Sequence, residues 1–323
     1  MNADITADIA IEDVRGAAER IRGIARRTPV FTSRTFDALA GVNAFFKCEN
    51  FQRGGAFKIR GASNFVYSIP KDELSRGVVS YSSGNHAQAV AIAAASVGIP
   101  ATIVMPSDAP KSKLDATRGY GARVVTYDRM LGSRETIGRQ IAGDTGATLV
   151  PPYDHPWIIA GQGTSALELI EEVPELDTLV VCIGGGGLIS GCAIAAKALR
   201  PDIRIFGVEP RDANDTYLSL RAHSRIEIPM PLTIADGRRA TKPGELTFPI
   251  IQKHVEDVVL VSDKEIRETL TFLLTRMKML VEPSGAVAAA ALFHHKLPEG
   301  LGKTGVIVSG GNVDLEFFQT IWD

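Results

Sequence analysis

Cysteine is scarce in this chain of 323 residues: Cys48, Cys182 and Cys192 make an odd number with no CxxC spacing. That excludes a disulfide framework and a cysteine-built zinc site, and it fits a reducing compartment. An excess of one charge is also missing, since 35 Lys and Arg stand against 37 Asp and Glu for a formal net charge of -2. With no long basic run, nucleic acid and anionic membrane are not expected as partners. Long apolar runs are absent too. The most apolar stretch, Ala87 to Met105, is broken by Gln88, Ser96, Gly98 and Pro100 and reads as a buried helix followed by a strand. The opening Met1-Asn-Ala-Asp-Ile-Thr lacks the positive-then-apolar layout of a signal peptide. A cytosolic globular protein, large enough for two domains, is the expectation.

What is present is an alternation of short Val/Ile runs with helical patterns, the signature of βαβ units and a parallel sheet buried on both faces. Val78–Tyr81 reads as a strand, His86–Val97 as a helix and Ala101–Met105 as the next strand. Lys111–Tyr120 reads as a further helix and Arg123–Tyr127 as a strand. A second series runs Gly163–Glu172 helix, Thr178–Ile183 strand, Cys192–Leu199 helix and Ile203–Val208 strand. Lys264–Met279 and Gly285–Phe293 follow as helices, then Val306–Val308 as a late strand. Near the start, apolar residues at helical spacing predict a helix over Ile11–Arg26, stopping before Thr28-Pro29. The fold class is α/β, two-lobed, with parallel-rich sheets wrapped by helices.

In such sheets ligands bind beyond the carboxyl ends of the strands, and four segments carry the chemistry. Lys58 lies in Arg53-Gly-Gly-Ala-Phe57-Lys58-Ile-Arg-Gly61, with an aromatic neighbour and small residues on both flanks. A lysine in a partly apolar pocket is held toward its neutral amine, which attacks an aldehyde to give a Schiff base. By itself it reads first as a solvated surface lysine, and the glycine-rich loops further along reverse that reading. Ser82-Ser83-Gly84-Asn85-His86 offers hydroxyls, an amide and free N–H groups at a helix start, an anion pocket suited to a carboxylate, or a plain helix cap. Gly184–Gly187, directly after a strand and before Leu188, exposes a nest of backbone N–H groups that holds a phosphate. Ser309-Gly-Gly-Asn312 puts a hydroxyl where a ring nitrogen would meet it, or simply turns the chain. A dinucleotide site is the rival, because Glu209 ends the strand that follows the tetraglycine. The GxGxxG fingerprint fails, however: counted from Gly184 the sixth residue is Ile189, and from Gly185 it is Ser190. An NAD(P)-dependent reductase would also leave Lys58 and the Ser82–His86 loop without roles.

Asn50-Phe-Gln-Arg-Gly-Gly-Ala-Phe-Lys58-Ile-Arg-Gly61, Ser82–His86, Gly161-Gln-Gly-Thr164, Gly184–Leu188, Glu282-Pro-Ser284 and Ser309–Asn312 occur in one order over nearly the whole chain. In this the sequence resembles the serine/threonine dehydratase and serine racemase family, pyridoxal phosphate (PLP) enzymes of the tryptophan-synthase-β-like fold, fold type II. The resemblance implies a discontinuous large PLP-binding domain, 1–76 and 149–323, and a small mobile domain at 77–148. It implies that Lys58 carries PLP as a Schiff base and later takes the substrate Cα proton. Phe57 would adjoin the cofactor, Gly184, Gly185, Gly186, Gly187 and Leu188 would hold its phosphate, Asn85 its ring hydroxyl and Ser309 its pyridine nitrogen. Ser82, Ser83, Asn85 and His86 would receive the substrate carboxylate. With no regulatory domain after Asp323, the chain resembles the short catabolic enzymes of the family.

The implied reaction is dehydration of a β-hydroxy-α-amino acid, L-serine or L-threonine by default, to a 2-oxo acid and ammonia. The alternatives are 3-hydroxyaspartate, which would give oxaloacetate, and serine racemisation with dehydratase side activity. Ser83 occupies the place where the family's threonine dehydratases carry alanine and its racemases a second base, so it permits racemisation. Arg134, with Tyr153 and His155, would face the substrate side chain, and a cation there favours hydroxyaspartate. Glu209-Pro-Arg-Asp-Ala213-Asn-Asp215 resembles the racemases' divalent-cation site, with carboxylates from Glu209 and Asp215 and a carbonyl from Ala213 as hard ligands for Mg²⁺, Mn²⁺ or Ca²⁺. A homodimer is implied, with a small-molecule amino acid as substrate.

Overall fold

The computed structural model describes residues 9–82, 84–109, 111–128 and 132–319. Its helices are α1 (Ile11–Arg20), α2 (Arg34–Ala40), α3 (Lys58–Ser68), α4 (Lys71–Leu74), α5 (Asn85–Ser96), α6 (Lys111–Gly119) and α7 (Arg134–Thr145). They continue as α8 (Pro156–Glu172), α9 (Gly187–Leu199), α10 (Asp215–Ala222), α11 (Thr247–His254), α12 (Asp263–Thr275) and α13 (Pro283–Phe293). The strands are β1 (Val30–Phe31), β2 (Asn43–Cys48), β3 (Val78–Tyr81), β4 (Ala101–Pro106), β5 (Arg123–Tyr127), β6 (Thr148–Leu149), β7 (Thr178–Cys182), β8 (Arg204–Pro210), β9 (Asp257–Val261) and β10 (Lys303–Val308).

Two sheets result. A six-stranded sheet has the order β1-β2-β10-β7-β8-β9 and a four-stranded one the order β5-β4-β3-β6. All their pairings are parallel except that of the short edge strand β1 with β2. This is an α/β architecture, in which helices must cover both faces of a parallel sheet. Every residue of β7 is accordingly buried. Strand β10 lies between β2 and β7, so the loops after Val308 and Cys182 emerge side by side at one sheet edge. The second core, under the four-stranded sheet, draws Ile59, Ala62, Phe65 and Val66 from α3 and Ile158 from α8.

The Gly161-Gln-Gly-Thr164 motif is a contact between helices. A Cβ at Gly163 would lie 2.6 Å from the Gly191 carbonyl, and one at Gly161 would lie 2.6 Å from Gly61 Cα. Helices α3, α8 and α9 therefore meet backbone to backbone, a distance that any larger side chain would open. Just beyond Lys58, the buried Arg60 makes a bidentate pair with Glu49 at 2.8 Å and reaches Glu168 at 2.7 Å. Lys47 joins Glu168 at 2.6 Å. Such a network holds only while all its members are present, since one unpaired buried charge costs about 3–5 kcal/mol. It anchors the first turn of α3, and with it the base of the Lys58 side chain.

Some expected boundaries move. Helix α1 ends at Arg20, and Gly23, with φ +81, breaks the pattern that had read on to Arg26. Helix α8 begins at Pro156 behind a His155 cap, and α9 begins at Gly187, inside the glycine run. Among the described residues, no helix is long and apolar enough to cross a membrane.

Candidate active site

Three segments are tied together by backbone pairing before any side chain is considered. Phe57 N–H donates to the Ser309 carbonyl at 3.1 Å, Gly311 N–H to Gly55 at 2.8 Å, and Glu282 N–H to Gly310 at 3.1 Å. The Lys58 loop, the Ser309–Asn312 loop and the start of α13 are thus zipped to one another. From the other sheet, Asn85 at the start of α5 donates to Glu282 at 2.6 Å and accepts from Asn312 Nδ2 at 2.9 Å. Asn312 also donates to the Gly54 carbonyl at 2.7 Å. Residues far apart in sequence converge here because the loops after β2, β3 and β10 leave the carboxyl ends of parallel strands, and the α12–α13 connection is laid against them.

Lys58 is the first residue of α3. Its Nζ donates to the Pro152 carbonyl at 2.6 Å and lies 5.2 Å from the Phe57 ring centroid. The cleft gives it partial access to water, yet protein surrounds the amine. Burial, seconded by the Arg238 cation, lowers its pKa to about 7. A lysine tuned in this way is a nucleophile at neutral pH.

The tetraglycine links β7 to α9, and Gly186 (φ +93) is the N-cap. A Cβ at Gly185 would overlap the Tyr153 ring, one at Gly187 would meet the Tyr153 carbonyl at 2.9 Å, and one at Gly186 would meet Thr247 at 2.7 Å. Only glycine lets the chain pass here while its N–H groups stay open at a helix N-terminus, a cradle of the kind that binds phosphate. Leu188 is buried in the core behind it. Thr247 Oγ1 supports the loop by donating to the Gly185 carbonyl at 2.8 Å. Asp154 in turn accepts from the backbone N–H groups of residues 245, 246 and 247.

Ser309 is buried beneath the site. Its Oγ accepts from Arg238 Nη2 at 2.6 Å and donates to the Ser284 carbonyl at 3.3 Å. On the opposite side, Ser82 Oγ accepts from Gly84 N–H at 3.3 Å, so the Ser82–His86 turn opens onto the start of α5. Ser83 lies outside the described residues. The imidazole of His86 is buried, and burial followed by the nearby Lys58 cation drives its pKa down to about 3. A neutral ring whose Nε2 faces the Val150 carbonyl at 3.3 Å carries its proton there, leaving Nδ1 as an unpartnered acceptor. His86 therefore offers an anion its backbone N–H, and the ring has no donor left for one.

Arg134, the first residue of α7, is half-buried and acts as a positive charge on His86, Tyr153 and Tyr81. Tyr153 packs on the tetraglycine, and burial pushes its phenol up to about 12. His155 is occupied as a helix cap, accepting from Trp157 N–H at 3.1 Å between the Phe65 and Trp157 rings.

Glu209 and Asp215 sit apart from this cleft, between β8 and α10. The Glu209 carboxylate accepts from Thr216 and Tyr217 N–H at 3.1 and 2.8 Å. Both Asp215 oxygens are buried without a partner. Burial raises both carboxyls, and at Glu209 the neighbouring Asp215 adds to it. Among the described residues no three His, Cys, Asp or Glu side chains cluster as a metal site, so a cation here would need backbone oxygens such as that of the buried Ala213.

Sequence reasoning left several residues of this site unused. Glu282 was legible as part of a motif but not as the partner of Asn85. Arg238, and the pair of Lys113 on α6 with Asp236 across the cleft, had no local signal, because isolated charged residues look alike in a sequence.

Residues 21–310 match the family described as pyridoxal-phosphate dependent enzyme. The chain is 51% identical over 309 residues to an L-threo-3-hydroxyaspartate ammonia-lyase of a Pseudomonas species, covering 96% of this chain and 97% of that one. It is 50% identical over 309 residues to the enzyme of the same name from Saccharomyces cerevisiae, covering 96% and 95%. The solved structure of maize serine racemase superposes with a TM-score of 0.94 at 45% identity, over 98% of both chains.

Proposed function

Since the chain belongs to the pyridoxal-phosphate dependent enzymes, with PLP as its cofactor and ammonia-lyase chemistry, we propose that its substrate is a 3-hydroxyaspartate, deaminated to oxaloacetate and ammonia. The observation that carries this choice over serine and threonine is Arg134, a half-buried cation at the cleft with no carboxylate partner among the described residues. A substrate with a second carboxylate supplies that partner. The two relatives named for this activity support the same choice.

The residues fit the cofactor. Lys58 Nζ would hold its aldehyde carbon, residues 184–188 its phosphate, Asn85 its ring hydroxyl and Ser309 its ring nitrogen, with Phe57 alongside. When bound, PLP supplies an electrophilic carbon for the substrate amine and an electron sink that acidifies the Cα–H. Lys58 Nζ would then be the base that takes the Cα proton; a base of pKa near the working pH is effective in that role. The N–H groups opening α5, with Ser82 and Asn85, hold the α-carboxylate, and Arg134 holds the distal one. Departure of the β-hydroxyl and hydrolysis of the product complete the lyase reaction.

Ammonia release from serine, threonine and both hydroxyaspartate diastereomers tests this reading, which predicts the highest kcat/KM on one hydroxyaspartate. Equal or better turnover of serine would overturn it. Ser83→Ala is expected to lose any racemisation, measured by chiral chromatography, and to keep ammonia release.

We also propose a divalent cation at Glu209, Asp215 and the Ala213 carbonyl. Two unpartnered carboxylate oxygens buried against a second carboxyl are costly unless a cation or protons compensate them. EDTA is expected to lower the melting temperature by several degrees and added Mg²⁺, Mn²⁺ or Ca²⁺ to restore it, since a ligand at a hundred times its Kd adds about 2.7 kcal/mol. An unchanged melting temperature would sink the site.

Residues 77–148 are proposed to move as a lobe over 1–76 and 149–323, a reading supported by their own parallel sheet and by cross-cleft ties such as Lys113–Asp236. The chain is proposed to work as a homodimer. Phe31 and Phe51 pair at 5.8 Å and are 39% and 42% exposed; Leu280, bonded through its carbonyl to Asn50, is 47% exposed, so these apolar side chains are available for burial against a second copy. Light scattering at twice the 34.6 kDa chain mass would agree with this.

A further inference from the structure

Resting on the PLP reading above, we infer that Arg238 is a positioning residue for the reaction: it holds the Ser309 hydroxyl as a donor to the pyridine nitrogen and keeps that nitrogen unprotonated. The geometry is specific. Arg238 closes a short 3-10 turn, Asp236–Arg238, whose Gly237 N–H donates to Ser284 Oγ at 2.9 Å. Its side chain is 6% exposed, and its guanidinium donates to Ser309 Oγ at 2.6 Å and to the Ser284 carbonyl at 3.4 Å. Among the described residues it makes no ion pair.

A guanidinium has donors and no acceptor, so the polarity of its bond to Ser309 cannot reverse. A hydroxyl that accepts from Arg238 keeps its own proton for a second partner. At present that proton meets only the Ser284 carbonyl, at a long 3.3 Å. A ring nitrogen beside Ser309 would thus be met by a hydrogen-bond donor. To be protonated, it would need Ser309 to accept from it as well as from Arg238, next to a buried positive charge. Like charges in a desolvated pocket disfavour that state strongly. The same charge is the second cause, after burial, of the lowered pKa of Lys58. Glu282 cancels it only in part, because burial and then Asp236 push that carboxyl up to about 7, against the pull of Lys113 and Arg238. An unprotonated ring is a weaker electron sink. It favours a substrate that expels a β-hydroxyl over one that must wait for a proton on the opposite face, so Arg238 biases the site toward elimination and away from racemisation.

The test uses holoenzyme reconstituted with nitrogen-15-labelled PLP, reading the pyridine nitrogen resonance across neutral pH. Wild type and Arg238→Lys are expected to keep the resonance at its unprotonated position throughout. Arg238→Met is expected to move it toward the pyridinium position as pH falls, and to raise the ratio of racemisation to ammonia release several-fold. Arg238→Gln removes the charge while keeping an amide donor, and serves if the Met variant does not fold. A protonated nitrogen in wild type, or identical pH courses in wild type and both neutral variants, would overturn the inference. So would a response confined to the phosphorus-31 resonance of the cofactor, which would assign the guanidinium to the phosphate. A protein that bound no PLP would instead fail the reading on which the inference rests.

Discussion

Lys58→Ala is expected to be folded, colourless and inactive, with the cofactor absorbance band lost and ammonia release reduced by at least about 10⁴-fold. The residue is proposed to have two roles in one amine, covalent capture of the cofactor and proton abstraction at Cα, so removing it would withdraw both contributions together. The structure separates this loss from misfolding. The Arg60–Glu49–Glu168 network anchors α3 independently of the Lys58 side chain, and among the described residues Nζ makes one protein hydrogen bond, to the Pro152 carbonyl. The wild-type apoenzyme carries a second signature. With the amine's pKa lowered to about 7, the nucleophilic fraction is nearly complete above neutral pH and falls tenfold per unit below it. Capture of added PLP, followed by absorbance, should slow in that proportion below pH 7 and level off above it. An ordinary lysine would show a rate still climbing at pH 9. A coloured Lys58→Ala protein with normal turnover would remove Lys58 from the site.

Arg238 seconds burial in this tuning, and nothing in the sequence points to it. The elements most legible in the sequence were those whose signal is continuous: β3, β5 and β7 as Val/Ile runs, and α5 and α13 as alanine-rich buried helices. Beginnings of helices were missed where the caps are unusual. Helix α8 starts behind a histidine and α9 inside a glycine run, so neither offers the Ser, Thr, Asp or Asn that normally marks an N-terminus. Strands β2 and β9 went unread, although each pairs in parallel within the large sheet. For β2 the pairing across the sheet is non-local and leaves no period in the chain, whereas β9 carries an apolar run of its own, Val258-Val-Leu-Val261. The site divides in the same way. Glycine loops and the motif lysine are local patterns. The Asn85–Glu282 and Arg238–Ser309 bonds join residues 197 and 71 positions apart and exist only in the fold. The resemblance to the PLP dehydratases bridged part of that gap, since it assigns roles by position. His155 shows where position alone misleads: the ring caps α8 in an aromatic cluster.

Arg134→Met is expected to lower kcat/KM for hydroxyaspartate by about 10²–10³-fold, the equivalent of about 3–4 kcal/mol, while turnover of serine changes little or rises. Three observations set the direction. The guanidinium heads α7, on the body that carries the four-stranded sheet, from which it is proposed to meet the substrate. Its charge is felt by His86 at the carboxylate loop and by Tyr153 on the tetraglycine, which brackets its position between the two ends of the site. It has no carboxylate partner of its own among the described residues, so an incoming one displaces nothing. Methionine keeps the aliphatic length of the side chain and removes only the charged fork, which limits packing losses. The loss should divide between KM, from binding the second carboxylate, and kcat, from closing the lobe that carries α7. Serine lacks that carboxylate and has nothing to lose. An equal loss on both substrates would make Arg134 a general structural element, and no loss on either would move the specificity of this enzyme to another residue.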